Sequence, residues 1–196
     1  MMTAPAKRPG RRPGSADTRG AILNAARAEF ASRGYEKTTV RAVARAADVD
    51  AALVHHYFGA KEKLFLAALD FPVDPATVVE LAAGDPAGVG ERLARYVVAL
   101  WDLPEARERL LAVVRTVSSN EDMAAMVRGF AKPRLVAPLA ARIGGANAEA
   151  RVEMALAQII GLAVARYVIR VEPIASLGTE ELVGLLGGAL QRLLGS

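Results

Sequence analysis

Apolar positions with helical spacing run through this chain and are most regular in residues 38–61, TTVRAVARAADVDAALVHHYFGAK. Val40, Val43 and Ala44 recur at i, i+3 and i+4, which gives a short helix one buried face. Either threonine of the preceding pair can cap that helix, because its side-chain oxygen can accept from a free backbone N–H. The pattern therefore predicts a short helix that begins directly after the threonines.

A second short helix is predicted after the turn formed by residues 47–49. Asp50 can cap it, and its inward side consists of Leu53 or Val54 together with Tyr57 and Phe58. Its outward positions are Ala51, Ala52, His55 and His56. Two short helices joined by a tight turn are typical of a helix-turn-helix, whose second helix lies in the DNA major groove.

Every other periodic segment also has helical spacing, and no strand-like alternation of any length occurs, so we predict an all-α fold of about nine helices. Gly34 should end the first helix, and Pro133 and Pro138 should kink or divide a long later one. The remaining predicted helices begin near residues 17, 61, 89, 104, 120, 148 and 179, and a further short one near residue 76 lies in the domain junction.

Three regions follow from the composition along the chain. Residues 1–16 form a basic arm without acids, which either adds affinity along DNA or serves as a disordered solubilising leader. Residues 17–70 form the helix-turn-helix domain, and residues 71–196 form a second helical domain. The glycines and prolines that follow Phe71 mark the junction between the two domains.

Residues 18–69 resemble the DNA-binding domain of the TetR family of bacterial transcriptional regulators. The resemblance runs from TRGAILNAARAEFASRGYEKTTVRAVARAADV through DAALVHHYFGAKEKLFLAAL. It includes Gly34, the threonine pair at 38–39 and the Tyr57-Phe58 pair. Two positions depart from the family pattern: Asp48 stands where the family usually has a turn glycine, and His55 where it usually has a DNA-contacting tyrosine.

The resemblance implies a set of DNA contacts. Hydroxyl or backbone N–H groups at Thr38 and Thr39 would meet a phosphate, and Arg41 would reach a phosphate or a guanine edge. The remaining implied contacts come from the second helix and the start of the next: Ala51, Ala52, His55, His56, Tyr57 and Lys61. Of these, His55 is our first candidate for a base contact.

Charge supports a nucleic-acid partner. The total is +4, but residues 1–69 contain twelve Lys and Arg against six acids, whereas the rest of the chain is slightly acidic. A basic excess on the helix-turn-helix half suits phosphate binding, although an ordinary solvated surface would show the same charge. The absence of cysteine excludes disulfides and thiol chemistry, and a reducing cytoplasm fits that composition.

The last two predicted helices carry more apolar and small side chains than a monomer of this size readily covers. TetR-like proteins pair these helices with those of a two-fold mate, so we expect a homodimer rather than a purely intramolecular core. The candidate interface residues are Ala157, Gly161, Val164, Val168, Leu182, Leu186 and Leu190. Two recognition helices held ~34 Å apart would read a palindromic operator.

The resemblance also implies a ligand-binding function for the second domain. Apolar residues predominate among the candidates, which favours a small hydrophobic effector, although such residues at helical spacing are also typical of plain core. The candidate ligand-binding residues are Tyr96, Trp101, Arg115, Met123, Met126, Phe130, Gln158 and Arg166.

These observations together predict a dimeric, ligand-released DNA-binding repressor in the cytoplasm. A ligandless architectural DNA-binding protein and a transcriptional activator are the alternatives. We expect no enzymatic activity, metal or cofactor, because the two adjacent histidines lie on the presumed DNA face and no nucleophile–base pair can be assembled. We expect no membrane span, since the apolar stretch from Met154 to Ala165 is shorter than the ~20 residues that one needs.

Overall fold

The structure is a computed structural model that describes the backbone of residues 15–195 and the side chains of residues 18–195. The predicted arm, residues 1–16, therefore lies almost wholly outside the described residues. Within them the fold is all-α, as predicted. Eleven α-helical segments are present in residues 15–195, more than the nine expected, partly because one predicted helix is divided in two.

The first four helices form a unit that we call the head. They are α1 (Ser15–Lys37), α2 (Val40–Ala46), α3 (Ala51–Phe58) and α4 (Lys61–Leu69). Gly34 interrupts α1 with φ 74° and ψ 169°, which is the break that its sequence predicts. The head core is aromatic and aliphatic, and its most deeply buried members are Ile22, Ala26, Phe30, Val43, Val54, Leu64 and Phe65.

The remaining helices form the body. They are α5 (Pro75–Leu81), α6 (Val89–Asp102), α7 (Pro104–Ser119), α8 (Glu121–Ala131), α9 (Ala137–Ile143), α10 (Ala148–Ala163) and α11 (Thr179–Leu194). A π-helical turn, Lys132–Val136, joins α8 to α9, so the helix is disturbed at Pro133, as predicted, and resumes before Gly144. A second π-helical turn, Val164–Ile169, extends α10.

Helices α6 and α11 form the centre of the body. Gly90 of α6 and Gly187 of α11 lie so close that a Cβ on Gly90 would overlap the Gly187 carbonyl oxygen. The side chain of Gln191 completes the contact, since its Oε1 accepts from the Gly90 N–H at 2.9 Å and its Nε2 donates to the Pro86 carbonyl at 2.7 Å. Trp101 is fully buried in the same core.

Head and body share one aromatic cluster. Phe130 of α8 stacks on Phe65 of α4 with ring centroids 4.3 Å apart, and it meets Tyr35 of α1 edge-on at 4.9 Å. Met126, one turn earlier on α8, is also buried in the head core. Helix α8 comes after the predicted division near residue 70 in the sequence, but it packs against the head.

Candidate nucleic-acid interface

Two side-chain caps and one left-handed residue shape the turn between α2 and α3. Oγ1 of Thr39 accepts a hydrogen bond from the Ala42 N–H at 3.1 Å, and Oδ1 of Asp50 accepts one from the Ala52 N–H at 2.7 Å. Asp48 adopts φ 54°, a conformation in which Asp is enriched relative to most residues. Asp48 thus takes the backbone conformation that a turn glycine would supply.

Helix α3 buries one face and exposes the other. Val54 and Phe58 are buried in the head core, whereas Ala52, His55 and His56 are exposed. Because these three positions lie within five residues on a two-turn helix, they form one short outward stripe. A stripe of this length suits insertion into a groove about 12 Å wide.

Two further predicted contacts lie at the edge of this stripe. Ala51 and Tyr57 are both half-buried and pack against the head core. The Tyr57 ring meets the His56 imidazole edge-on, with centroids 5.6 Å apart. Tyr57 therefore supports the orientation of His56 as well as lying at the border of the exposed face.

The orientation of His55 is fixed by the end of its own helix. Its Nδ1 lies 2.8 Å from the carbonyl oxygen of Gly59, the residue that caps α3. A carbonyl oxygen only accepts, so Nδ1 carries a proton and donates in this contact. The other ring nitrogen, Nε2, is then an acceptor in the neutral side chain and a donor in the protonated one.

Thr38 has a structural partner for its hydroxyl. The residue is 1% exposed, and Oγ1 donates toward the Glu29 carbonyl at 3.0 Å and the Gly34 carbonyl at 2.8 Å. These bonds attach the start of α2 to the break in α1. A phosphate contact at Thr38 would therefore have to use the backbone, which is one of the two options that the sequence left open.

The cationic candidates differ in their surroundings. Arg41 is exposed, and no residue of the described chain forms an ion pair with it. Lys61 is half-buried: its Nζ donates to the Glu36 carbonyl at 3.2 Å and lies 4.4 Å from the centre of the Tyr35 ring. Burial lowers the pKa of the Lys61 ammonium, while the Glu36 carboxylate opposes that shift. Arg41 is thus the freer of the two for a phosphate.

The predicted ligand-binding residues fall into separate places. Trp101 lies in the body core, meets Tyr167 edge-on at 5.9 Å, and has an indole N–H without an acceptor among the described residues. Arg166 is near it, with Nε 3.2 Å from the Tyr167 hydroxyl. Tyr96 and Gln158 are half-buried and Arg115 is exposed. The remaining three, Met123, Met126 and Phe130, lie at the junction with the head.

A cavity at that junction is absent from the sequence-based prediction. It measures about 360 Å³ and is bounded by α1 and α4 on one side and by α7 and α8 on the other. Met123 and Met126 line it beside head residues that include Arg27, Phe30 and Phe65. Helical periodicity identified both methionines as inward-facing, but it carries no information about which distant helix they face.

The predicted dimer residues also divide into two groups. Leu182, Leu186 and Leu190 are at most 4% exposed and pack inside the chain's own core. Ala157, Gly161 and Val168 are exposed on α10 and its extension, and Val164 is half-buried. On α11 the exposed apolar side chain is Leu185, at 62%. The unpartnered face thus consists of small and apolar residues from both helices.

No group of three or more His, Asp or Glu side chains within residues 18–195 is arranged to hold a metal ion. The helix Ala148–Ile169 is long and apolar enough to cross a membrane by length and composition, and 17% of its most apolar part is buried in the chain. The core helix of a soluble protein can meet the same two criteria.

An all-helical chain with a helix-turn-helix head and a helical body belongs to the class of DNA-binding regulators. Residues 22–68 match the family model for bacterial regulatory proteins of the tetR family, and residues 87–194 match that for the tetracyclin repressor-like C-terminal domain. The second match covers more than half of the chain. This chain belongs to the TetR family of transcriptional regulators.

Three individual proteins are similar to all or part of this chain. A TetR-family regulator from Streptomyces coelicolor is 38% identical, with 96% of this chain and 100% of that chain covered and a TM-score of 0.48. Salmonella enterica GusR is 21% identical, with 94% and 98% covered and a TM-score of 0.49. The transcriptional repressor AcnR of Corynebacterium efficiens is 47% identical over 51 residues, which span 26% of this chain and 27% of AcnR.

Proposed function

We propose that this chain is a homodimeric repressor that binds a palindromic operator and is released from it by a small, mostly hydrophobic ligand. The observation that carries the proposal is the exposed stripe of Ala52, His55 and His56 on α3, opposite a face anchored in the head core. The stripe offers one small side chain, Ala52, for close approach to thymine methyl groups and two imidazole rings for base edges. No enzymatic step is part of this proposal, and such a regulator would act in the cytoplasm.

The proposed dimer would bury the face formed by α10 and α11. Met154, Ile160 and Leu185 are 55%, 44% and 62% exposed, which is unusual for large apolar side chains on neighbouring helices of a monomer. The small residues Ala157 and Gly161 on α10 allow a second helix to approach closely. A two-fold mate explains this face better than a bilayer does, because Glu149, Arg151 and Glu153 lie in the first turns of the same helix.

Dimerisation increases the number of base pairs that the heads contact. A single α3 reads only a few base pairs, whereas two copies related by a two-fold axis contact successive major grooves ~34 Å apart. A change in the angle between head and body would alter this spacing, because each head is attached to the dimer through its own body. Ligand release is proposed on this basis.

The experiment is a fluorescence anisotropy titration of the purified chain against the DNA upstream of its own gene and against a shuffled duplex, at two salt concentrations. Tight binding confined to the upstream fragment supports an operator-specific regulator. Equal binding to both duplexes, falling steeply with salt, would mean that only phosphate contacts are made and would favour the architectural alternative. Reporter expression with and without the gene then separates repression from activation.

A further inference from the structure

The junction between head and body contains a cavity whose walls are mostly apolar. Phe30 and Phe65 of the head face Val113 and Thr116 of α7 and Met126 of α8 across it. Its volume of about 360 Å³ lies within the ~300–1,000 Å³ typical of pockets for small molecules. Aromatic rings and flexible methionine side chains together favour a planar or ring-containing apolar guest.

One cationic residue, Arg27 of α1, lines the same cavity. Its Nε donates to the Ala68 carbonyl at 2.7 Å, and its Nη1 donates to Oδ1 of Asn24 at 2.9 Å. These two bonds hold the guanidinium in place but use only part of its five N–H donors. No carboxylate among the described side chains, residues 18–195, pairs with Arg27, so no ion pair in that part of the chain neutralises its charge.

We propose that the junction cavity is the binding site of the regulator's effector, and that this effector has an apolar, ring-sized body and a single anionic group. The body would lie against Phe30, Phe65 and Met126, and the anion would pair with Arg27. A carboxylate or sulfonate suits a guanidinium, since both can accept two parallel N–H bonds. The regulatory part of this inference rests on the proposed function, whereas the binding part does not.

The position of the cavity explains how ligand binding would affect DNA binding. The rings that line it also hold the head to the body: Phe65 stacks on Phe130 at 4.3 Å and meets Phe30 edge-on at 5.0 Å. A guest against Phe65 changes the packing of α8 on the head, because rings at these distances are closely packed and leave no space between them. The guest and the operator then favour different head positions, and each weakens binding of the other by the same factor.

The test uses the full chain and two fluorescent probes with the same aromatic body. 8-Anilinonaphthalene-1-sulfonate carries one anionic group, and N-phenyl-1-naphthylamine carries none. Thr116→Phe fills the cavity from α7, and Arg27→Gln removes its charge. The matched controls are Ser118→Phe, on the same helix outside the cavity, and Arg33→Gln, on α1 outside the cavity.

We expect Thr116→Phe to weaken both probes by about ten-fold or more, and Arg27→Gln to weaken only the sulfonate by about ten-fold, which corresponds to loss of one charge-assisted contact. Neither control should change either probe. Saturating sulfonate should weaken operator binding, and the operator should weaken sulfonate binding by an equal factor.

Three results would overturn the inference. They are no probe binding, probe binding that Thr116→Phe leaves unchanged, and equal loss of both probes in Arg27→Gln. The second result would place the probe elsewhere, such as on the exposed α10–α11 face. Failure of the probe-free chain to bind any operator would instead refute the proposed function, and the probe titrations would still decide whether the cavity is a binding site.

Discussion

Nη1 of Arg134 donates to Oε2 of Glu62 at 3.1 Å, which joins the π-helical turn of the body to the first turn of α4 in the head. The Arg134 guanidinium also lies 5.6 Å from the centre of the Tyr35 ring, and Lys61 lies on the same ring at 4.4 Å. Burial raises the pKa of the Tyr35 hydroxyl, while the Arg134 charge opposes that shift. Tyr35 is thus a point at which charges from head and body converge.

Reversing the Arg134–Glu62 pair tests whether it contributes to the junction. Arg134→Glu and Glu62→Arg should each lower the free energy of unfolding by about 0.5–1 kcal/mol, because a partly exposed pair is screened by solvent. The double substitution should recover part of the loss. Urea unfolding of the four proteins gives the coupling energy, and strictly additive effects would show that the pair contributes nothing.

The contact between α6 and α11 makes a sharper prediction for stability. Gly90→Ala places a Cβ against backbone atoms of Gly187 and Gln191, so one helix has to move. We expect a loss of about 3 kcal/mol or more, since the clash is with backbone and not with a flexible side chain. Gly129→Ala is the control, because a Cβ there meets nothing within 4 Å, and it should stabilise α8 by about 0.5–1 kcal/mol. Thermal unfolding that shows equal effects for both would contradict the close approach.

The local rules predicted much of this fold because the relevant interactions are short in sequence. Gly34 breaks α1, Thr39 and Asp50 cap α2 and α3, and Pro104 begins α7, all through contacts within a few residues. The start of α6 at Val89 and of α11 at Thr179 were predicted for the same reason. Helix boundaries therefore follow from the sequence at nearly every position where a cap or breaker is present.

The sequence was less informative about which face of a helix is buried, and α11 is an example. Its leucines spread over about half of its circumference, so periodicity alone does not say which ones face α6. The close approach of Gly187 to Gly90 decides that Leu182, Leu186 and Leu190 point inward, and Leu185 is left outside. The junction cavity depends in the same way on long-range contacts, such as that of Arg27 with the Ala68 carbonyl.

A charge on the exposed face should prevent association of the proposed dimer. Ala157→Arg puts a cation into the middle of the apolar stripe on α10, where desolvation in an interface would be unfavourable. Ala125→Arg on the outer side of α8 is the matched control. Size-exclusion chromatography with light scattering should give a monomer for the first and a dimer for the second. A dimer in both cases would place the interface elsewhere.

Thr38 and Arg41 should separate structural from DNA-binding roles. Thr38→Val removes a buried hydroxyl that bonds two carbonyl groups, so the free energy of unfolding should fall by about 1 kcal/mol while operator affinity of the folded protein stays unchanged. Arg41→Ala should leave stability unchanged, weaken binding to all sequences alike and reduce the salt slope by about one. Anisotropy at several salt concentrations, beside urea unfolding, distinguishes the two. Loss of affinity in Thr38→Val without loss of stability would restore Thr38 as a direct contact.

His55 should carry sequence discrimination, because its Nδ1 is held by the Gly59 carbonyl and its Nε2 is left for DNA. His55→Ala should reduce the preference for operator over shuffled DNA by about 1–3 kcal/mol, with little change in non-specific binding. When the imidazole is neutral, Nε2 accepts a hydrogen bond, so its partner would be an amino group, adenine N6 or cytosine N4. Replacing the contacted base pair should therefore lower the affinity of the unaltered protein but not that of His55→Ala. Anisotropy with a set of single-base-pair operator changes identifies that position, and Arg142→Ala on the far helix α9 serves as the control. Undiminished discrimination in His55→Ala would move the base contact to His56 or to the backbone beside Ala52.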